Sequence, residues 1–146
     1  GVAVWPAQVI NYTNKTQFLF RIEKGVLDIN DPGVNEYFTP DNMRIPFRNM
    51  IYIGDSDTDI PCMKLVNSYG GHSIGVYNAD TQDKKKVYKM MHDKRIKYFA
   101  PADYSDGREL DTLVKAIIDR TAYNEKLETM HYKNLNEAAE AASEKK

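Results

Sequence analysis

The chain has 146 residues, 42% of them hydrophobic, and a formal net charge of −1. That length is enough for one domain with one core, and a near-neutral charge argues against general nucleic-acid binding, which usually shows a basic excess. No apolar run approaches the ~20 residues that cross a bilayer. The lone Cys62 permits no internal disulfide, so we expect a reducing, cytoplasmic setting with neither a membrane nor a nucleic acid as partner.

The N-terminal part predicts a hairpin followed by a helix. Residues 2–12, VAVWPAQVINY, are β-branched and aromatic around a proline, which predicts a strand, a bend and a short second strand. A helix is predicted over residues 15–23, with Thr13 or Asn14 as its cap and Gly25 at its end. Its predicted apolar face consists of Phe18, Leu19 and Ile22.

Strands and helices alternate through the rest of the chain, after an irregular insertion over residues 26–48. Strands are predicted over residues 50–53, 72–77 and 96–100. Helices are predicted over residues 58–67, 83–92 and 108–119, with a helical tail over residues 121–146. This alternation predicts an α/β fold, a Rossmann-like open parallel sheet with flanking helices, in which the first strand is buried on both faces.

Three alternating aspartates follow the strand at residues 50–53: Asp55, Asp57 and Asp59. In open α/β sheets, ligands bind beyond the carboxyl ends of the strands. Carboxylates on a rigid strand end suit a hard cation such as Mg²⁺. The alternative is that these aspartates are solvated residues that cap the following helix.

The run strand-GDSDTD-helix, followed by GGHSIGVY, resembles motif IV of the haloacid dehalogenase-like (HAD) phosphohydrolases. The resemblance extends over residues 15–119 and is closest to the phosphoserine-phosphatase-like branch. It implies a Mg²⁺ site at Asp55 and Asp59, in which Asp55 ligates the ion directly and Asp59 supports it through water or hydrogen bonds. Asp57 lies outside the family pattern and is expected to be exposed. Ser56 and Thr58, which fill variable positions of the pattern, are expected to orient the loop.

The HAD resemblance also implies a lysine at the start of an upstream helix. Lys15 has that setting, and its ammonium would neutralise the aspartates and hold the substrate phosphate. Lys24 is the competitor, but it precedes Gly25 at the helix C-terminus, where a cation complements the helix dipole. We therefore assign Lys15, with Asp55 and Asp59, to the catalytic site. The alternative for Lys15 is an ordinary solvated lysine.

The family's nucleophile motif, Asp-x-Asp-x-Thr, does not occur in the sequence. We therefore expect residues 1–120 to be the C-terminal part of a HAD-like core, with residues 1–14 as the hairpin region before the lysine motif. The nucleophile would come from a missing N-terminal half, which would be this chain's partner beside a phosphorylated small-molecule substrate. The chain alone would then be inactive, and its uncovered surface would favour association, including a homo-oligomer.

Two other classes of function compete with the phosphohydrolase. One is a non-catalytic interaction module that keeps the fold and docks through the helical tail from Thr121. The other is a phosphoacceptor receiver-type domain that uses Asp57. It ranks last, because the sequence has no upstream acidic pair at the end of a first strand.

Overall fold

The computed structural model describes residues 2, 4 and 8–143. The first strand of the expected N-terminal hairpin falls mostly on residues outside this part. The prediction of a second strand is wrong, because residues 8–11 form no strand. The Asn11 side chain instead accepts a hydrogen bond from the Thr13 backbone N–H at 2.9 Å, which turns the chain directly into the first helix. No helix in the described residues is both long enough and apolar enough to cross a membrane.

Three parallel strands form the sheet, in the order β1 (Ile51–Gly54), β2 (His72–Tyr77) and β3 (Tyr98–Pro101). This confirms an α/β fold with a parallel, Rossmann-like sheet. Every residue of β2 is buried, as expected for a central strand. The prediction of full burial is wrong for β1, which is only half-buried, because within the described residues it pairs with β2 alone.

Three helices accompany the sheet: α1 (Lys15–Lys24), α2 (Ile60–Ser68) and α3 (Lys85–His92). Two buried clusters fill the space around the sheet, and α2 contributes to both. The first contains Leu19, Phe47, Met50, Cys62 and Val66. The second contains Met63, Tyr77, Val87, Met90 and Ile96. The helix α2 is therefore fixed against the sheet, and with it the loop that joins α2 to β1.

The apolar face predicted for α1 is only partly correct. Leu19 is buried and Phe20 packs edge-on against Phe47, but Ile22 is exposed. Its neighbour Arg21 is buried instead, with 2% of its surface exposed. The end of the helix is as predicted, because Gly25 has a φ of 75°, a left-handed conformation that glycine adopts without strain.

The insertion over residues 26–48 is organised by the buried Arg21. It contains short 3₁₀ segments at Pro32–Asn35, Pro40–Asn42 and Phe47–Asn49 rather than strands or long helices. The Arg21 guanidinium donates to backbone carbonyl oxygens of the insertion, those of Val26, Asp28, Ile29 and Asp31. These bonds give both terminal nitrogens of the buried guanidinium acceptors without a carboxylate, although Nε has no partner among the described residues. They also hold the start of the insertion against α1.

Residues Tyr104–Lys146 form a second compact unit, distinct from Gly1–Asp103. Its helix α4 runs without interruption over Glu109–Ser143. The boundary expected between residues 120 and 121 lies inside this helix. No glycine or proline occurs between its ends, so nothing in the local sequence stops the helix there.

Candidate functional site

The candidate site lies on the loop that leaves the carboxyl end of β1. Ser56 and Asp59 form a capping box at the start of a 3₁₀ turn over Asp57–Asp59, which continues into α2. Gly54 is required at the strand end, because a Cβ there would lie 2.8 Å from the Asp59 side chain. The Asp59 carboxylate can therefore fold back against the end of the strand.

Five hydrogen bonds converge on the Asp59 carboxylate. Oδ1 accepts from the Lys15 ammonium at 2.7 Å and from the Tyr52 hydroxyl at 2.9 Å. Oδ2 accepts from the Ser56 hydroxyl at 2.9 Å and from the backbone N–H groups of Ser56 and Asp55 at 3.1 and 3.3 Å. Only 7% of Asp59 is exposed, so this carboxylate is a fixed centre that joins α1, β1 and the loop.

These contacts determine the protonation states at the site. Burial alone would raise the pKa of Asp59, but hydrogen bonds from Lys15, Tyr52 and Ser56 outweigh it and lower that pKa to about 2. The hydrogen bond to Asp59 also raises the pKa of Lys15. Burial and the bond to Asp59 raise the pKa of Tyr52. At neutral pH the site therefore holds an ionised carboxylate, an ammonium and a neutral phenol.

The two candidate lysines have different surroundings. The Lys15 ammonium pairs with Asp59 and also contacts the Thr58 hydroxyl at 3.3 Å, so it faces the loop after β1. The Lys24 ammonium donates to the carbonyl oxygens of Val34 and Glu36 at 2.7 and 2.5 Å. Lys24 thus fastens the insertion to the end of α1, whereas Lys15 stands beside the aspartates.

The carboxylate of Asp55 is exposed beside this centre. Within the part of the chain that the structure describes, no hydrogen bond or ion pair engages it, although its charge helps to raise the pKa of Lys15. Magnesium commonly binds proteins through one or two carboxylates, with waters and substrate phosphates as its other ligands. Asp55 fits that chemistry as a direct ligand.

Asp59 fits a magnesium site only as a supporting residue. A carboxylate offers about four lone-pair positions, and its two oxygens already accept five hydrogen bonds. Among the described residues there is no group of three or more His, Cys, Asp or Glu side chains placed to hold a metal ion. An ion on Asp55 would therefore need further ligands from water, substrate or residues outside that part of the chain.

Two residues near the site were not identified from the sequence. Tyr52 supplies a hydroxyl from within the apolar strand, and Lys86 reaches the loop from α3, with its Nζ 3.5 Å from Asp57 Oδ1. A tyrosine in a buried strand gives a usable signal, because its hydroxyl needs a partner. Lys86 gives none, since it lies in a run of lysines that is typical of a solvated helix face.

Tyr52 provides a test of how Asp59 is held. The pKa of Asp59 falls from 3.8 to about 2 on folding, so its ionised form contributes about 2 kcal/mol of stability above pH 4, which is lost as the pH falls through 2. Tyr52→Phe removes one donor, and we expect the pKa of Asp59 to rise toward 3.8. Carboxyl NMR titration measures that pKa, and the acid-unfolding midpoint should move to higher pH.

The matched control is Tyr88→Phe, since the Tyr88 ring is exposed, packs on Phe99 and is not among the groups that lower the pKa of Asp59. This change should leave the pKa of Asp59 unchanged. An unchanged Asp59 pKa in Tyr52→Phe would contradict the role that we give to the hydroxyl.

Comparisons with known proteins identify a relative whose description names neither a fold nor a function. No protein-family model and no solved structure matches the chain. A protein of Borreliella burgdorferi (strain ATCC 35210 / DSM 4680 / CIP 102532 / B31), described as an uncharacterized protein, is 30% identical over 104 residues. The matched stretch is 69% of this chain and 34% of that relative. The chain thus spans about a third of the length of the curated relative that it matches.

Proposed function

We propose that this chain is part of a Mg²⁺-dependent, HAD-like phosphohydrolase that cleaves small phosphate monoesters. The observation that carries the proposal is the ion pair between Lys15 and Asp59, 2.7 Å long, beside the open carboxylate of Asp55. The two paired residues are 44 positions apart in sequence. They meet at the carboxyl end of a parallel strand, where open α/β sheets place their ligands.

In this proposal each of the three residues has a distinct task. Asp55 would hold a magnesium ion, which when bound supplies positive charge next to the phosphoryl group. Lys15 would contact the phosphoryl oxygens and stabilise their negative charge. Asp59 orients Lys15 and keeps it protonated, and it fixes the loop through the Ser56 backbone N–H and hydroxyl.

The nucleophile would come from a segment outside this sequence. In HAD-like enzymes an aspartate attacks phosphorus and forms an aspartyl-phosphate, which water then hydrolyses. The sequence has no Asp-x-Asp-x-Thr motif to supply it. Two observations are compatible with an additional segment: β1 has a strand partner on one side only among the described residues, and the relative from Borreliella burgdorferi is about three times as long as the matched stretch.

The proposal is tested with the complete protein, meaning this chain together with the segment that supplies the nucleophile. We expect the complete protein to hydrolyse an aryl phosphate when Mg²⁺ is present and to lose that activity when EDTA removes the ion. The 146-residue chain alone should show no turnover, because it can bind charge but cannot form the aspartyl-phosphate.

Two results would decide against this proposal. Absence of Mg²⁺-dependent turnover and of Mg²⁺ binding in the complete protein would favour a non-catalytic interaction module. Turnover by the 146-residue chain alone would show that the nucleophile lies within the sequence. Loss of that turnover in Asp57→Asn would then point to the receiver-type alternative.

A further inference from the structure

A second cation, carried by α3, lies against the same loop as Lys15. The Lys86 ammonium is 3.5 Å from Asp57 Oδ1. Both side chains are largely exposed, 45% for Lys86 and 81% for Asp57, so water screens this pair. The pair formed by Lys15 and Asp59 is shorter and much less exposed. Lys15 is therefore fixed in place, whereas Lys86 can exchange its partner at little cost.

Lys86 contacts Asp57, and Asp57 is only two residues from Asp55, where the phosphate is proposed to bind. Asp55 and Asp57 are two residues apart, so their Cα atoms are separated by no more than about 7.6 Å. A substrate whose phosphate lies at Asp55 and Lys15, and whose remainder follows the loop past Asp57, would reach Lys86. A neutral substrate would leave Lys86 paired with Asp57. An anionic substituent could take the place of the Asp57 carboxylate.

We propose that Lys86 binds a second anionic group of the substrate, so that the preferred substrates are small phosphate monoesters that also carry a carboxylate or a second phosphate. This inference rests on the proposed phosphohydrolase function and adds the substrate class. Binding of the second anionic group would involve only the Lys86 side chain, which α3 places at the loop. Lys15 and Asp59 would keep their positions.

A matched series of phenyl phosphates tests the inference on the complete protein. The para substituent is a carboxylate, a second phosphate or a neutral carboxamide. We expect kcat/KM to be about twofold to fivefold higher for the two anionic substrates than for the carboxamide, as suits an exposed ion pair. In Lys86→Gln that ratio should fall to about one. In the wild-type protein the ratio of kcat/KM values should also decrease as the salt concentration is raised from 0.05 to 0.5 M, because salt screens the ion pair.

The control is Lys89→Gln, which removes an equal charge from the last turn of the same helix. It should keep the wild-type ratio. Equal turnover of the whole series by wild-type protein, or equal loss of the ratio in Lys89→Gln, would overturn the inference while leaving the phosphohydrolase in place. Failure of the wild-type protein to hydrolyse any of the substrates would refute the proposed function, and this inference with it. A preference for only one of the two anions, lost in Lys86→Gln, would support the inference and identify the group.

Discussion

Replacing Lys15 with glutamine in the complete protein is expected to lower kcat for an aryl phosphate by at least about 100-fold, since a preorganised charge next to the reacting group contributes that much to catalysis. The ammonium lies 2.7 Å from Asp59 Oδ1, and no other described lysine contacts this carboxylate. Steady-state kinetics at saturating substrate measures the effect. Circular dichroism must show that the variant is folded, because Asp59 loses its ionic partner.

Lys24→Gln is the matched control for this experiment. It removes the ammonium that binds the carbonyl oxygens of Val34 and Glu36, and it therefore loosens the insertion rather than the aspartate loop. We expect a lower melting temperature with kcat within a few fold of wild type. In a separate variant, Lys15→Ala, added ethylamine should partly restore turnover, because it supplies an ammonium group in place of the missing side chain. If Lys24→Gln were the inactive variant, the lysine motif would be wrongly assigned.

The order of strands and helices follows from the sequence because each element has a strong local signal. The apolar run before Gly54 predicts β1, and the prediction for residues 72–77 matches β2 in full. Lys15 and Asp59 are brought together as the HAD resemblance implies, although nothing local to either residue encodes their contact. A resemblance to a family relates residues that are far apart in the sequence, whereas hydrophobic periodicity describes only residues within one helix or strand.

Arg21 shows where reasoning from the sequence fails. A charged residue next to Leu19 and Ile22 is expected to face water, yet Arg21 is buried and Ile22 is exposed. The reason is the insertion, whose carbonyl oxygens surround the guanidinium. Every residue carries a backbone carbonyl, so the sequence does not show which carbonyl oxygens will surround a cation. A buried cation of this kind is recognised only when the path of the chain is known.

The contact between Lys86 and Asp57 depends on a different kind of information. The sequence predicts a helix from Asp83, and the helix begins two residues later, at Lys85. This later start does not change which residues face the core, because Val87 and Met90 are buried. The loop that Lys86 meets is determined by where α3 packs on the sheet, and the residue types of α3 do not encode that position.

Asp55→Asn in the complete protein is expected to reduce turnover at millimolar Mg²⁺ by at least about 1000-fold, because a neutral amide is a much poorer ligand for a hard cation than a carboxylate. The substitution is nearly isosteric and the side chain is exposed, so the free energy of unfolding should change by less than about 0.5 kcal/mol. Isothermal titration with Mg²⁺ should show weakened binding independently of any assay of activity.

Asp57→Asn separates the role of Asp55 from the general effect of removing negative charge. Asp57 is two residues away on the same loop and exposed, but its carboxylate faces Lys86 rather than Lys15. We expect this variant to keep Mg²⁺ affinity and turnover of a neutral aryl phosphate within a few fold of wild type. If both variants weakened Mg²⁺ binding equally, the ion would respond to the summed charge of the loop. The specific strand-end position of Asp55, on which its assignment as a ligand depends, would then have no part in binding.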